Sequence, residues 1–120
     1  MPWINVVTNK ELSIAEQEEL KAGLGLLMHQ ILDKEETGLM VTFLAANGIY
    51  RAGERQEHAA VVEVKYIGQY PAAKKAEVTR CIIGLMARVI EIEQTKVIVP
   101  FGEFPPENYG RLPGIPAIGK

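Results

Sequence analysis

The sequence predicts an α/β fold of two tandem βαβ units that form a four-stranded sheet with both helices on one face. Three observations predict it. Sliding the 120-residue chain against itself by 58 positions, without a gap, aligns residues 2–43 with residues 60–101 and gives nine identities, Leu27-Met28 over Leu85-Met86 among them. Each half carries an apolar stripe at helical spacing, Leu20, Leu24, Leu27, Met28 and Ile31 in the first and Val78, Ile82, Leu85, Met86 and Val89 in the second. Each stripe is flanked on both sides by short segments rich in β-branched and aromatic residues. A repeat of this length marks one supersecondary unit per half.

The first unit, residues 2–45, opens with a strand over Pro2 to Thr8. Its helix starts at Ser13-Ile14-Ala15-Glu16, where Ser13 and Glu16 can satisfy each other's orphan amides as a capping box. Leu39 to Leu44 supplies the returning strand. Residues 46–58 carry Asn47-Gly48, Gly53 and four charged side chains, which predicts a connecting loop with a short strand at Ile49 to Arg51. The second unit, residues 59–102, runs from a strand over Ala59 to Ile67, through a helix with Pro71 in its first turn, to a strand over Val97 to Phe101. Residues 103–120 form a Gly- and Pro-rich tail expected to pack as a loop or short hairpin, and the whole chain, 1–120, reads as one domain. Right-handed crossovers put both helices on one face. The strands nevertheless carry apolar residues on both parities, Trp3 and Val7 on one and Ile4 and Val6 on the other, so the bare face is expected to be buried by other copies of the chain.

Composition narrows the function. With 48% apolar and 23% charged residues and a mean hydropathy of +0.03, the chain has ample apolar surface to fold. A net charge of −2 without a basic run excludes a phosphate-backbone partner, so no nucleic acid is expected. No apolar stretch is long enough to span a bilayer, so no membrane partner is expected either. The start Met-Pro-Trp-Ile-Asn has neither a basic nor an apolar leader region, which predicts a cytoplasmic protein. Cys81 stands alone and the histidines are His29 and His58, so neither a disulfide nor a zinc site of ordinary type is available, and Cys81, inside the second stripe, reads as a packed thiol. Gly23-Leu24-Gly25 falls inside a helix rather than after a strand, and no Walker or nucleophile-elbow pattern occurs, so no cofactor is expected.

The residue that can carry chemistry unaided is Pro2. Removal of Met1 would leave a secondary amine at the head of the first strand, and an α-amino group moved from water into an apolar pocket beside a cation titrates below its reference value near 8. It can then act as a general base. Together with the tandem βαβ repeat, Pro2, Ile67-Gly68, Phe101-Gly102-Glu103-Phe104-Pro105 and Tyr109-Gly110-Arg111 resemble the tautomerase superfamily, in its macrophage migration inhibitory factor and cis-3-chloroacrylic acid dehalogenase branches. The resemblance runs from Pro2 to about Gly114. It implies a homotrimer with active sites at subunit interfaces and Pro2 as catalytic base, and it places His29 where the dehalogenase branch has an assisting histidine and Lys34 where the cytokine branch has its active-site lysine. It further implies substrate contacts from Arg111, Ile67, Tyr66 and Tyr109, with Glu107 offset by one residue from the dehalogenases' catalytic glutamate. Tyr66 and Gln69 stand where that branch carries two arginines, and Pro100 where it carries a tyrosine. The expected activity is keto-enol tautomerisation of a small carbonyl acid, with a cation from Arg111, Lys34 or Arg51 on the enolate. Hydration or dehalogenation of an unsaturated three-carbon acid, and a non-enzymatic trimeric binder, are the alternatives.

Overall fold

In the computed structural model, which describes residues 2–112, the repeat is kept without a slip. Helix α1 spans Ile14–Leu32 and α2 spans Ala72–Ile90, each boundary displaced by the same 58 residues. The strands are β1 Trp3–Thr8, β2 Met40–Ala45, β3 Tyr50–Arg51, β4 Glu54–Arg55, β5 Ala60–Ile67, β6 Val97–Ile98 and β7 Phe101–Phe104. The main sheet has the order β2-β1-β5-β6, with β7 also on β5; β1 and β5 meet antiparallel and the outer strands run parallel to their neighbours. Trp3 pairs with Met40, Ala60 with Val97 and Val64 with Phe101, so 37 positions separate partners in every parallel pair. β6 and β7 therefore occupy one sheet position, interrupted at Val99-Pro100 because Pro100 has no amide hydrogen to give. The Pro100 carbonyl still accepts from the Val64 amide at 3.0 Å. That position extends to Phe104, past the Phe101 end that its apolar pattern suggests. Asn5 pairs with Glu63, its own repeat equivalent, so the pseudo-two-fold axis relating the halves passes between these two residues.

The Ser13 capping box is present: Glu16 N donates to Ser13 Oγ at 3.1 Å and Ser13 N to Glu16 Oε1 at 2.9 Å. Pro71 is the N-cap of α2 rather than a residue of its first turn, and its carbonyl accepts from the amides of Lys74 and Lys75 at 3.0 and 3.3 Å. The loop after the first unit folds into a β3-β4 hairpin, whose two-residue turn, Ala52-Gly53, has both φ values positive (54° and 79°), the hand that matches strand twist. In the tail, Pro106–Asn108 makes one 3₁₀ turn, and residues 113–120 lie outside the described chain.

Ile4 and Val6 of β1 and Val62, Val64 and Tyr66 of β5 pack with the buried stripes of both helices into a single core. In the second stripe Ile90, rather than the half-buried Val89, completes the buried set. Cys81 is exposed, not packed, because its position on α2 turns away from the Val78-Ile82 stripe. On the opposite sheet face the parity of Trp3, Asn5 and Val7 is only half-buried, and Met40, Leu44 and Ile98 are more than half exposed. That face also holds a closed polar ring, which the expectation of an apolar face did not include. Trp3 Nε1 donates to Thr42 Oγ1 (2.9 Å), Thr42 Oγ1 to Asn5 Oδ1 (2.7 Å) and Asn5 Nδ2 to Glu63 Oε2 (2.9 Å). Lys65 Nζ then lies 3.1 Å from Glu63 Oε1 and 4.7 Å from the centre of the Trp3 ring. The Asn5 amide first, and Lys65 after it, hold the Glu63 carboxyl below its usual range.

Candidate active site

The sheet end that carries Pro2 is assembled by both units. Pro2 is buried, and its carbonyl accepts from the Met40 amide at 2.9 Å. One step beyond the Trp3 and Lys65 pair, the antiparallel register brings Pro2 opposite Tyr66. Lys34 arrives from α1. Asp33 caps that helix in the left-handed conformation (φ 55°), its amide donating to the His29 carbonyl and the Lys34 amide to that of Met28, each at 3.1 Å. The chain thereby turns inward, and Lys34 is fully buried. Its Nζ lies 3.5 Å from the Ile67 carbonyl oxygen and 5.4 and 5.5 Å from the ring centres of Tyr66 and Tyr70. Burial lowers the pKa of this ammonium, while the two ring faces and the carbonyl favour its charge.

The rings are themselves held. Tyr66 Oη donates to Glu103 Oε2 at 2.8 Å, the Tyr70 amide donates to the same oxygen at 2.9 Å, and Lys75 Nζ lies 3.3 Å from Glu103 Oε1. Tyr70 Oη donates to the Leu32 carbonyl at 2.9 Å, capping α1 two residues before Lys34. The two tyrosines meet edge to face, 5.1 Å between centres. Burial pushes both phenols up, reinforced at Tyr66 by its bond to Glu103 and at Tyr70 by the charges of Asp33 and Glu103. Burial alone would raise the Glu103 carboxyl, but the Tyr70 amide, the Tyr66 hydroxyl and Lys75 together hold it below its usual range. One carboxylate thus holds both of the rings that flank Lys34.

Across residues 1–114 the chain matches the family described as macrophage migration inhibitory factor (MIF). It belongs to the MIF family. This family lies in the tautomerase superfamily, which includes tautomerases and dehalogenases. Among solved structures, the fold is similar to MIF2 of Leishmania major (TM-score 0.79, 23% identity, covering 87% of this chain and 89% of that one). It is also similar to Pt0534 inactivated by 2-oxo-3-pentynoate (TM-score 0.84, 17% identity, 96% and 95% covered). A third is N1, a member of the cis-3-chloroacrylic acid dehalogenase family (TM-score 0.83, 18% identity, 98% and 81% covered). Among curated proteins, none is similar enough in sequence to match.

In this MIF-family chain, four of the residues singled out from sequence, Pro2, Lys34, Tyr66 and Ile67, meet at one sheet end. Tyr66 does so as a fully buried wall whose hydroxyl is committed to Glu103. His29, Glu107 and Arg51 stand apart from that group within one chain, and Tyr109 lies next to it on the open face. His29 lies on the outer side of α1, 54% exposed, with Nδ1 3.8 Å from Glu35 Oε2. Glu107 is exposed in the 3₁₀ turn. Tyr109 packs on Phe104, 5.7 Å between ring centres, beside Trp3 and Lys65 on the open sheet face; burial raises its phenol against the opposing charge of Arg111. Arg51 sits on the hairpin and donates to the Thr95 carbonyl, at the opposite end of β5 from Pro2. No cluster of three metal-ligating side chains occurs among the described residues, and none of the described helices is long and apolar enough to cross a membrane.

Sequence reasoning passed over Tyr70, Lys75 and Glu103 as site residues. A signal existed: Glu103 stands 37 positions after Tyr66, the separation that pairs every parallel partner in this sheet, so a carboxylate was bound to face a buried tyrosine.

Proposed function

We propose that the protein is a tautomerase that moves a proton between the enol and keto forms of a small 2-oxo acid, with the Pro2 nitrogen as general base. The observation that carries this reading is the fully buried Lys34, held at the Ile67 carbonyl beside Tyr66 at the sheet end where Pro2 stands. Pro2, freed by removal of Met1, takes a proton from the enol oxygen, or from the carbon next to the carbonyl, and returns it at the other position. The Lys34 ammonium, in surroundings of low polarity, stabilises the negative charge on the enolate oxygen or the carboxylate. The half-buried open face, with Met40, Leu44 and Ile98 exposed, supports a homotrimer, in which a neighbouring copy completes the site and brings Tyr109, Arg111, His29 or Glu107 toward it. No cofactor enters this chemistry.

The test is a ketonisation assay with the enols of phenylpyruvate and 2-hydroxymuconate. Wild type should turn over, Pro2→Ala should retain partial activity through its primary amine, and a protein that keeps one residue ahead of Pro2 should be inactive. Equal activity of the blocked protein would sink the reading. Hydration or dehalogenation is disfavoured because Tyr66 offers an interior phenol and no cation, and halide release from 3-chloroacrylate measures it directly.

A further inference from the structure

The pseudo-two-fold axis that relates the halves also relates the Tyr66 network to a cavity. At the far end of β1, between the strand ends and the start of α1, lies a cavity of about 170 Å³ walled by Val6, Thr8, Leu12, Gln17, Phe43 and Ala45. Shifted by 58 positions these become Val64, Tyr66, Tyr70, Lys75, Phe101 and Glu103. The helices, their caps and the parallel register coincide at that same shift, so the two sets of residues stand in equivalent places. In the second half the equivalent position carries Tyr66, whose buried phenol runs from β5 to Glu103. In the first half its place falls to Thr8, a short side chain whose hydroxyl is committed to the Ala59 carbonyl at 2.7 Å. Leu12 stands in place of Tyr70 and Ala45 in place of Glu103, while the apolar walls persist as Val6 and Phe43.

We infer that this cavity is a binding site for a monocyclic phenol, which would lie where the equivalent half carries its own tyrosine ring. Size agrees, since an apolar cavity of about 150 Å³ takes up a benzene-sized molecule. Polarity agrees as well. Ala45 is exposed, so the end of the cavity matching the Tyr66 hydroxyl opens to solvent; Glu11 and Gln17 line the cavity as hydrogen-bonding partners, while Lys10 Nζ is engaged with the Ile90 carbonyl. The site is remote from Pro2 and independent of the proposed proton transfer.

Titration of the full-length protein with 4-methylphenol, followed by amide NMR shifts, tests the inference. Saturable shifts should appear at Thr8, Leu12, Phe43 and Ala45. Ala45→Phe, at an exposed strand end, should weaken binding at least ten-fold while its remaining amide spectrum shows the fold intact; Leu12→Phe, which fills the cavity from the other side, should do the same. Absence of saturable shifts in the wild type, shifts confined to Trp3, Lys34 and Ile67, or unchanged affinity in both filled variants would each overturn it.

Discussion

Positions 34 and 92 are repeat equivalents, and each follows a helix cap in the left-handed conformation, Asp33 at φ 55° and Glu91 at φ 56°. Both positions are buried, yet one holds a lysine and the other Ile92. The neighbours differ in step with them. At the first position an ammonium meets two tyrosine faces and the Ile67 carbonyl, whereas at the repeat-equivalent end Tyr66 and Tyr70 give way to Thr8 and Leu12. The fold supplies the same interior position twice, and only one copy is equipped to hold a cation. A charge in a packed interior costs free energy unless specific groups receive it, so a buried lysine in one half, opposite an aliphatic residue in the other, is the basis for the role proposed for Lys34.

The strongest way to break this contrast is to place the charge in the unequipped half. Ile92→Lys should lower stability by about 3–5 kcal/mol, the scale for an uncompensated buried charge, and urea denaturation measures it. The reverse change should separate function from folding. Lys34→Met should leave stability unchanged or raise it by about 1 kcal/mol, since burial penalises the ammonium, while enol turnover falls about 10²-fold or more. A loss of several kcal/mol in that variant would instead make Lys34 a structural ion.

Glu103 has Ala45 as its equivalent and anchors the difference between the two ends. Glu103→Gln should cost about 1–2 kcal/mol through its weakened bonds to Tyr66, the Tyr70 amide and partly exposed Lys75. Its carboxyl is held below the usual range, so the stabilisation is present above the unfolded-state pKa near 4.3 and is lost as pH falls through the folded value. The acid limb of a stability profile should accordingly be shallower in the variant. The smallest contrast lies at the helix starts, where α1 has the Ser13-Glu16 box and α2 only the Pro71 backbone. Ser13→Ala should cost about 1 kcal/mol, read as a lower thermal midpoint.

Much of this contrast was legible in the sequence. The gapless shift of 58 residues foretold two helices at equivalent places in the halves, and the Ser13 box foretold the first helix start, whereas Pro71 precedes the second helix instead of lying in its first turn. Local pattern fails where a residue acts through backbone chemistry or register. Pro100 splits a strand that its Ile and Val neighbours announce as continuous, and Phe101-Gly102-Glu103-Phe104 shows its strand character only through its pairing with β5. Pro2 stood out by its amine chemistry and Lys34 by resemblance, but Lys34, at the carbonyl end of a helix, is placed equally well by the helix dipole, and its burial becomes visible only in the fold. Exposed Cys81 was misplaced because an apolar neighbour on each side does not put a residue on the inner face of a helix.

In the proposed mechanism the lysine-bearing end holds a neutral amine at Pro2. The most direct test is an NMR titration of the Pro2 nitrogen in protein made with ¹⁵N-proline and trimmed of Met1, in the wild type and in Lys34→Met. The wild-type amine should titrate about one unit or more below the α-amino reference near 8, and its pKa should rise toward that reference when the Lys34 ammonium is removed. A Pro2 amine that titrates near 8 in both proteins would contradict it.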